Sequence, residues 1–392
     1  MTFKSSLQRD LDRFYKQINQ SNFSIREVSK SAFSQSRANL NPLAFKELNA
    51  VAGDGFYQCA DFDTWNGLRL VAIDGSTIGL PNHQSIVEEF GQQGFGPKAD
   101  SLRSLAKISF IYDVFNQITI DAQIDSFDTH ELDLFERHSK HLKPCDLLLM
   151  DRGYACFWTM FLLQAKGVSF CIRMKDNWWK VVHEFSKSTD NERFVEFSLP
   201  VKDRKKLAEF PQIWEKKITC RLIKVVLDDG SIEILCTSLL DQKAHPIEEF
   251  KELYHYRWAH EETYKIFKCR MEIEQFSGKT ALAIKQDFYA KVFVMTMCAI
   301  MAYPIEEKVK AEYKKDQNRK HEQKLNRTSA IAFTQELIFA AIIKKQFQTA
   351  IQAFDSVLEK TREVIRPGRS FERKHKQKKT LLHELQAFIT LA

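Results

Sequence analysis

Two short apolar runs in this chain each end on an aspartate, with a glycine within the next two residues. Leu70-Val71-Ala72-Ile73 leads into Asp74-Gly75-Ser76, and Leu147-Leu148-Leu149-Met150 leads into Asp151-Arg152-Gly153-Tyr154. Short apolar runs bounded by turn residues read as buried strands. A carboxylate at the end of a buried strand needs a partner, because burying a bare charge is very costly. That partner is a cation, a helix N-terminus or a metal ion. One such aspartate would serve as a cap or turn residue. Two in matching surroundings point to a common site of oxygen ligands, the set that Mg²⁺ and Mn²⁺ prefer.

The pattern around them orders the elements. Leu68–Asp74 is a first strand, and Ile108–Val114 and Ile118–Ile124 alternate around Phe115-Asn116-Gln117 as a hairpin. A helix near 129–142, the strand ending at Asp151, a helix over 156–166 and the strand Ser169–Met174 follow. Three antiparallel strands, then helix, parallel strand, helix and strand, is the order of a ribonuclease H-like α/β sheet flanked by helices. Residues 176–240 carry further strand signals at Arg193–Leu199, Ile218–Leu227 and Ser231–Thr237, the last two around the hairpin cue Asp228-Asp229-Gly230.

Downstream, Tyr254, Arg257, Glu261 and Lys268 stand at offsets of 0, 3, 7 and 14. At about 100° per residue they share one helical stripe about 60° wide. An acid among two cations and a phenol is either a solvated face with intrahelical ion pairs or a site that holds a metal ion and a phosphodiester together.

With these residues in view, the chain resembles the DDE transposases of bacterial insertion sequences marked by a Tyr-x2-Arg-x3-Glu-x6-Lys signature. Tyr254, Arg257, Glu261 and Lys268 match it without a gap, and the Asp74-Gly-Ser and Asp151-Arg-Gly-Tyr motifs resemble the family's first and second acids. Trp65-Asn66-Gly67, Ser109–Val114, Phe170–Lys175 and Arg369–Lys374 look like the same family. The resemblance implies a site of Asp74, Asp151 and Glu261 on Mg²⁺ or Mn²⁺, two ions in all. It implies Tyr254, Arg257 and Lys268 on DNA phosphates, and a β-strand insertion before the third acid. The function implied is cutting the ends of an insertion sequence and joining the 3′-hydroxyls to target DNA. The partners would be double-stranded DNA (terminal inverted repeats and target) and a second copy in a homodimeric synaptic complex. The setting would be the bacterial cytoplasm and nucleoid. By the same likeness, Trp178, Trp179 or Trp214 is a candidate wedge for a flipped base, against plain packing.

Charge is unevenly spread. Residues 301–392 hold 19 Lys+Arg against 11 Asp+Glu, while the rest of the chain holds 39 against 40. A run such as Arg369, Arg373 and Lys374 can neutralise phosphates, as can Lys205 in the basic loop Lys202–Lys206. Arg37 lies on a short helix that either reads DNA or packs. The expected regions are an N-terminal helical, DNA-binding part (1–66), a catalytic core (67–175 and 241–300), the insertion (176–240) and a basic helical part for DNA and dimer contacts (301–392).

The eight cysteines form no Cys-x2-Cys pair and read as reduced core residues. His138 and His141 read as surface residues rather than zinc ligands. Val292–Tyr303 is too short to span a membrane and reads as a core helix. No signal peptide is recognised at Met1–Ser5. Three rival functions remain: a nuclease of the same fold that does not join strands, a DNA-binding protein without cleavage, and a carboxylate-pair glycosidase, which would need neither the basic stripe nor the basic tail.

Overall fold

The computed structural model describes residues 6–19, 21–95, 101–315, 321–342 and 344–365. Eight strands build one sheet: β1 (Arg69–Gly79), β2 (Leu105–Asp113), β3 (Ile118–Ser126), β4 (Asp146–Met150), β5 (Ser169–Met174), β6 (Glu192–Ser198), β7 (Lys217–Val226) and β8 (Ile232–Thr237). Their order across the sheet is β3-β2-β1-β4-β5-β8-β7-β6. The pairs β1/β2 and β2/β3 are antiparallel, while β4 and β5 run parallel to β1. These five strands are the ribonuclease H-like sheet expected from the sequence. The insertion does not fold aside. Its strand β8 pairs with β5 from Ile234↔Met174 to Thr237↔Cys171, so β8, β7 and β6 widen the same sheet.

Twelve α-helices surround it among the described residues: α1 (Leu7–Ile18), α2 (Lys30–Arg37), α3 (Leu43–Cys59), α4 (Gln84–Phe90), α5 (Glu131–His138), α6 (Phe157–Ala165), α7 (Lys180–Lys187), α8 (Glu249–His255), α9 (Arg257–Lys265), α10 (Ala281–Lys315), α11 (Arg327–Ile342) and α12 (Phe347–Lys360). The sequence reading did not anticipate α4 or α7.

Strand alternation divides the core. Val71, Ile73, Leu148, Met150, Phe170 and Ile172 pack with Phe135 of α5, Phe161 of α6 and Phe185 of α7. Leu70, Ala72, Leu147, Leu149 and Cys171 pack with Phe250 and Leu253 of α8. At the start of β1 and β4, buried Arg69 makes a two-pronged ion pair with buried Asp146, at 2.7 and 2.9 Å. This cross-tie sets the register of the two strands that carry the aspartates.

Several expectations change. β1 continues past Asp74 to Gly79, because its antiparallel pairing with β2 extends to Gly79↔Leu105. The helical stripe is not one continuous α-helix: α8 and α9 are separated at Tyr256, and Ile266–Arg270 form a π-helical turn. His138 is not at the surface but fully buried, because its ring joins Asp121 to Ser109 in the core. Cys171, Cys220, Cys236 and Cys298 are buried, whereas Cys59, Cys145 and Cys269 are exposed. The Val292–Tyr303 stretch lies within the 35-residue α10, which by length and composition is long and apolar enough to cross a membrane. In this fold Val292, Met295, Cys298 and Ala302 of α10 belong to a core cluster with β2, β3 and α11.

Candidate active site

The register brings the two aspartates together. β1 pairs in parallel with β4 up to Ala72↔Leu149. Asp74 and Asp151 each lie two residues farther on, so they continue the same face of neighbouring strands, about 5 Å apart along the sheet. Asp151 lies just beyond the carboxyl end of β4, where open α/β sheets place their ligands, and Asp74 lies within β1 just past the end of its pairing with β4. Each aspartate uses one oxygen locally: Gly75 N–H donates to Asp74 Oδ1 at 2.8 Å, and Gly153 N–H donates to Asp151 Oδ1 at 2.7 Å. Among the described residues, Oδ2 of neither carboxylate accepts a hydrogen bond.

The segment with the basic stripe is stitched across these strands. Tyr254 Oη donates to the Met150 carbonyl at 3.2 Å, one residue before Asp151. Tyr264 Oη donates to the Asp74 carbonyl at 2.6 Å, and Lys268 Nζ donates to the Thr77 carbonyl at 2.8 Å. The backbone of Glu261 is in α9, between these anchors; its side chain lies outside the described residues. Tyr254 and Arg257 are buried, with the Arg257 guanidinium against the rings of Tyr254 and Trp258. Of the four signature residues, Tyr254 and Lys268 thus have their polar ends on main-chain carbonyls of the acid-bearing strands.

The electrostatics are those of crowded carboxylates. Burial pushes the Asp74 carboxyl up to about 6, and the nearby charges of Asp151 and Glu131 add to this, against the Gly75 N–H and Arg257. Glu131, at the start of α5, escaped the sequence reading. A Cβ placed on Gly75 would lie 3.0 Å from Glu131 Oε1, and one on Gly153 would lie 3.0 Å from Asp151 Oδ1 and 3.7 Å from Glu131 Oε2. Glycine at both positions therefore leaves the space that the carboxylates occupy. Beneath them, Tyr154 is fully buried, and its hydroxyl, beside Ser109, makes no close hydrogen bond among the described residues. Burial first, then Glu131, Asp74 and Asp151, hold that phenol well above its usual range.

A buried relay supports β1 from below: Asp121 to His138 Nδ1 at 2.7 Å, His138 Nε2 to Ser109 Oγ at 3.1 Å, and Ser109 Oγ donating to the Asp74 carbonyl at 3.1 Å.

Two features fit a divalent cation: oxygen donors with spare lone pairs, and excess negative charge. Among the described residues no three His, Cys, Asp or Glu side chains stand close enough together to hold a metal ion.

A family model described as "Transposase DDE domain" matches residues 65–297, which take in Asp74, Asp151 and the whole stretch from Tyr254 to Lys268. The chain belongs to this family. It is 24% identical over 252 residues to the transposase InsG for insertion sequence element IS4 of Escherichia coli (strain K12). That match covers 62% of this chain and 54% of the relative, so the chain spans about half the length of the curated relative it matches. Among solved structures, a piggyBac transposase synaptic complex with hairpin DNA is similar at a TM-score of 0.43 and 12% identity, over 96% of this chain and 72% of that one.

Around this DDE domain the remaining candidates have varied settings. Arg37 faces inward, paired with Asp287 at 2.8 Å and donating to the Ala283 carbonyl at 2.9 Å and to Ser277. This contact docks α2 on α10. Lys205 is exposed, whereas its neighbours are engaged, Arg204 with Glu215 and Lys206 with Asp133 and Glu136. Trp179 stacks on Phe157 at 4.2 Å, and Trp214 Nε1 donates to the Leu207 carbonyl. Trp178 is half exposed, with Lys175 Nζ 4.1 Å above its ring. Trp258, absent from the sequence-based candidates, is also exposed, next to Arg257. Arg369, Arg373 and Lys374 lie outside the described residues.

Proposed function

We propose that this chain is a DNA transposase that cuts the ends of an insertion sequence and joins the freed 3′-hydroxyls to target DNA. The observation that supports this best is the parallel pairing of β1 with β4, which ends at Ala72↔Leu149, two residues before Asp74 and Asp151, under a signature segment stitched to both strands. Family membership agrees with it.

On this reading Asp74, Asp151 and Glu261 hold one or two divalent ions, Mg²⁺ or Mn²⁺. When bound, such ions activate an oxygen nucleophile and stabilise the leaving oxygen of an in-line displacement. The protein's own part is placement. Gly75 and Gly153 N–H groups fix one oxygen of each aspartate and leave the other without a hydrogen bond among the described residues. Arg257 lowers the cost of charge on Asp74 and stands where a scissile phosphate needs a cation. Tyr254, enclosed and bonded to Met150 O, keeps the helix on its strand, while Lys268 ties the π-turn to β1 and contributes positive charge beside the DNA. The reaction is first hydrolysis of a phosphodiester, which leaves a 3′-hydroxyl. Attack by that hydroxyl on a target phosphodiester follows, with the target's own 3′-oxygen departing. No protein–DNA covalent bond is needed. Double-stranded DNA is the substrate, a second protomer would hold the other end, and the work would be done in the bacterial cytoplasm.

The test is a labelled duplex carrying the gene's own flanking end, with Mg²⁺, for wild type and Asp74→Ala. Nicking at the end by the wild type alone, followed by joining to a second duplex, supports a transposase. Nicking without joining supports the nuclease reading. Metal-dependent nicking that survives Asp74→Ala overturns the site assignment.

A further inference from the structure

We propose that Glu131 is a fourth carboxylate of this centre and a direct ligand of a divalent ion held with Asp74 and Asp151. The inference rests on the metal-site reading above and goes beyond its three acids.

Four observations carry it. First, both oxygens of Glu131 face the two Asp-Gly elbows: Oε1 lies against Gly75 and Oε2 against Gly153, as the 3.0 and 3.7 Å approaches of a notional Cβ show. One side chain thus touches the backbone beside both aspartates. Second, Glu131 makes no hydrogen bond or ion pair among the described residues. The other acids of α5 do: Asp133 and Glu136 share Lys206 at 3.3 and 2.8 Å. An acid used only to favour the start of a helix has no need to point at two other carboxylates. Third, the fully buried Tyr154 hydroxyl, beside Ser109, feels the charges of Glu131, Asp74 and Asp151 and makes no close hydrogen bond among the described residues. Fourth, the charges of Asp151 and Glu131 both reach the partly buried Asp74, where Arg257 is the cation among the described residues that acts most strongly. A divalent ion would balance that charge.

The source of the carboxylate also matters. Asp74 and Asp151 come from the face that packs on α8, whereas α5 packs on the opposite face. Glu131 lies against Gly75 and Gly153, so an ion held by all three would be gripped from both sides of the sheet.

The test is Mn²⁺ titration of the full chain, read by the loss of free-ion EPR signal, for wild type, Asp74→Asn, Glu131→Gln, Glu131→Asp and Glu136→Gln. Unfolding of each variant in EDTA is measured alongside. The expected result is loss of binding in Asp74→Asn, at least about tenfold weaker binding in both Glu131 variants, and wild-type binding in Glu136→Gln. Glu131→Asp keeps the charge at the helix start but shortens the reach, so it serves if Glu131→Gln does not fold. Wild-type affinity in the Glu131 variants with loss in Asp74→Asn would overturn the role of Glu131 and leave the three-acid reading standing. Absence of binding by the wild type, or unchanged binding by Asp74→Asn, would overturn that reading itself and this inference with it.

Discussion

Replacing Asp74 by asparagine should stabilise the metal-free protein while removing its chemistry. The folded-state carboxyl is pushed from the usual 3.8 to about 6, by burial first and then by Asp151 and Glu131. The sign follows from linkage. A folded state that holds its proton more tightly than the unfolded chain loses stability as pH rises between the two values. Below pH 4 both states are protonated and there is no penalty; above pH 6 the penalty is complete. A displacement of this size corresponds to about 3 kcal/mol at pH 7.5 and about 1 kcal/mol at pH 4.5. Solvent at the half-buried carboxylate trims the larger figure, leaving ~1–3 kcal/mol. Asparagine keeps an oxygen for the Gly75 N–H and carries no charge, so it escapes the penalty. Asp113, also raised to about 6 by burial, titrates in both proteins and cancels in the comparison. The assay is denaturant unfolding of wild type and Asp74→Asn in EDTA at pH 4.5 and 7.5. The variant should be the more stable at pH 7.5, with the gap narrowing at pH 4.5, and Mn²⁺ at pH 7.5 should stabilise the wild type only. A variant less stable than wild type at pH 7.5, or a gap that does not change with pH, would refute the argument.

Three further outcomes are expected. Asp146→Asn breaks the buried pair with Arg69 and leaves a guanidinium uncompensated, so unfolding measurements should show a loss of about 3–5 kcal/mol. Trp179→Ala, which empties the stack on Phe157, should cost at least about 2 kcal/mol, whereas Trp178→Ala should stay within about 0.5 kcal/mol; a wedge role for Trp178 would appear only in assays with DNA. Tyr254→Phe removes the bond to Met150 O and should cost about 1 kcal/mol, with DNA cleavage slowed but duplex affinity unchanged in a gel-shift measurement.

Much of this fold was legible in the chain because strands and helices write their period into it. Ser169–Met174 was read to the residue, and Leu68–Asp74, Ile118–Ile124 and the strand before Asp151 needed only end adjustments. Element ends were harder. β1 runs on to Gly79 because β2 offers it a partner that far, which its own residues do not announce. The stripe from Tyr254 to Lys268 was legible as a grouping, but its break at Tyr256 and its π-turn were not. Those irregularities accompany the anchoring of Tyr254, Tyr264 and Lys268 to carbonyls on other strands.

By itself, the sequence determined the two strand-Asp-Gly motifs, the spacing of the signature and therefore the family. Only the tertiary structure decided that β1 and β4 pair just before Asp74 and Asp151, that Arg37 turns inward, that His138 is buried and that Glu131 lies against Gly75 and Gly153. An acid at a helix start looks like any favourable first-turn residue, and its nearest neighbours here are 56 and 22 residues away in sequence (Gly75 and Gly153). Periodicity records what each segment does locally. Which side chains meet is set by strand pairing and by helices packed across the sheet, and those non-local contacts leave no spacing in the chain to read.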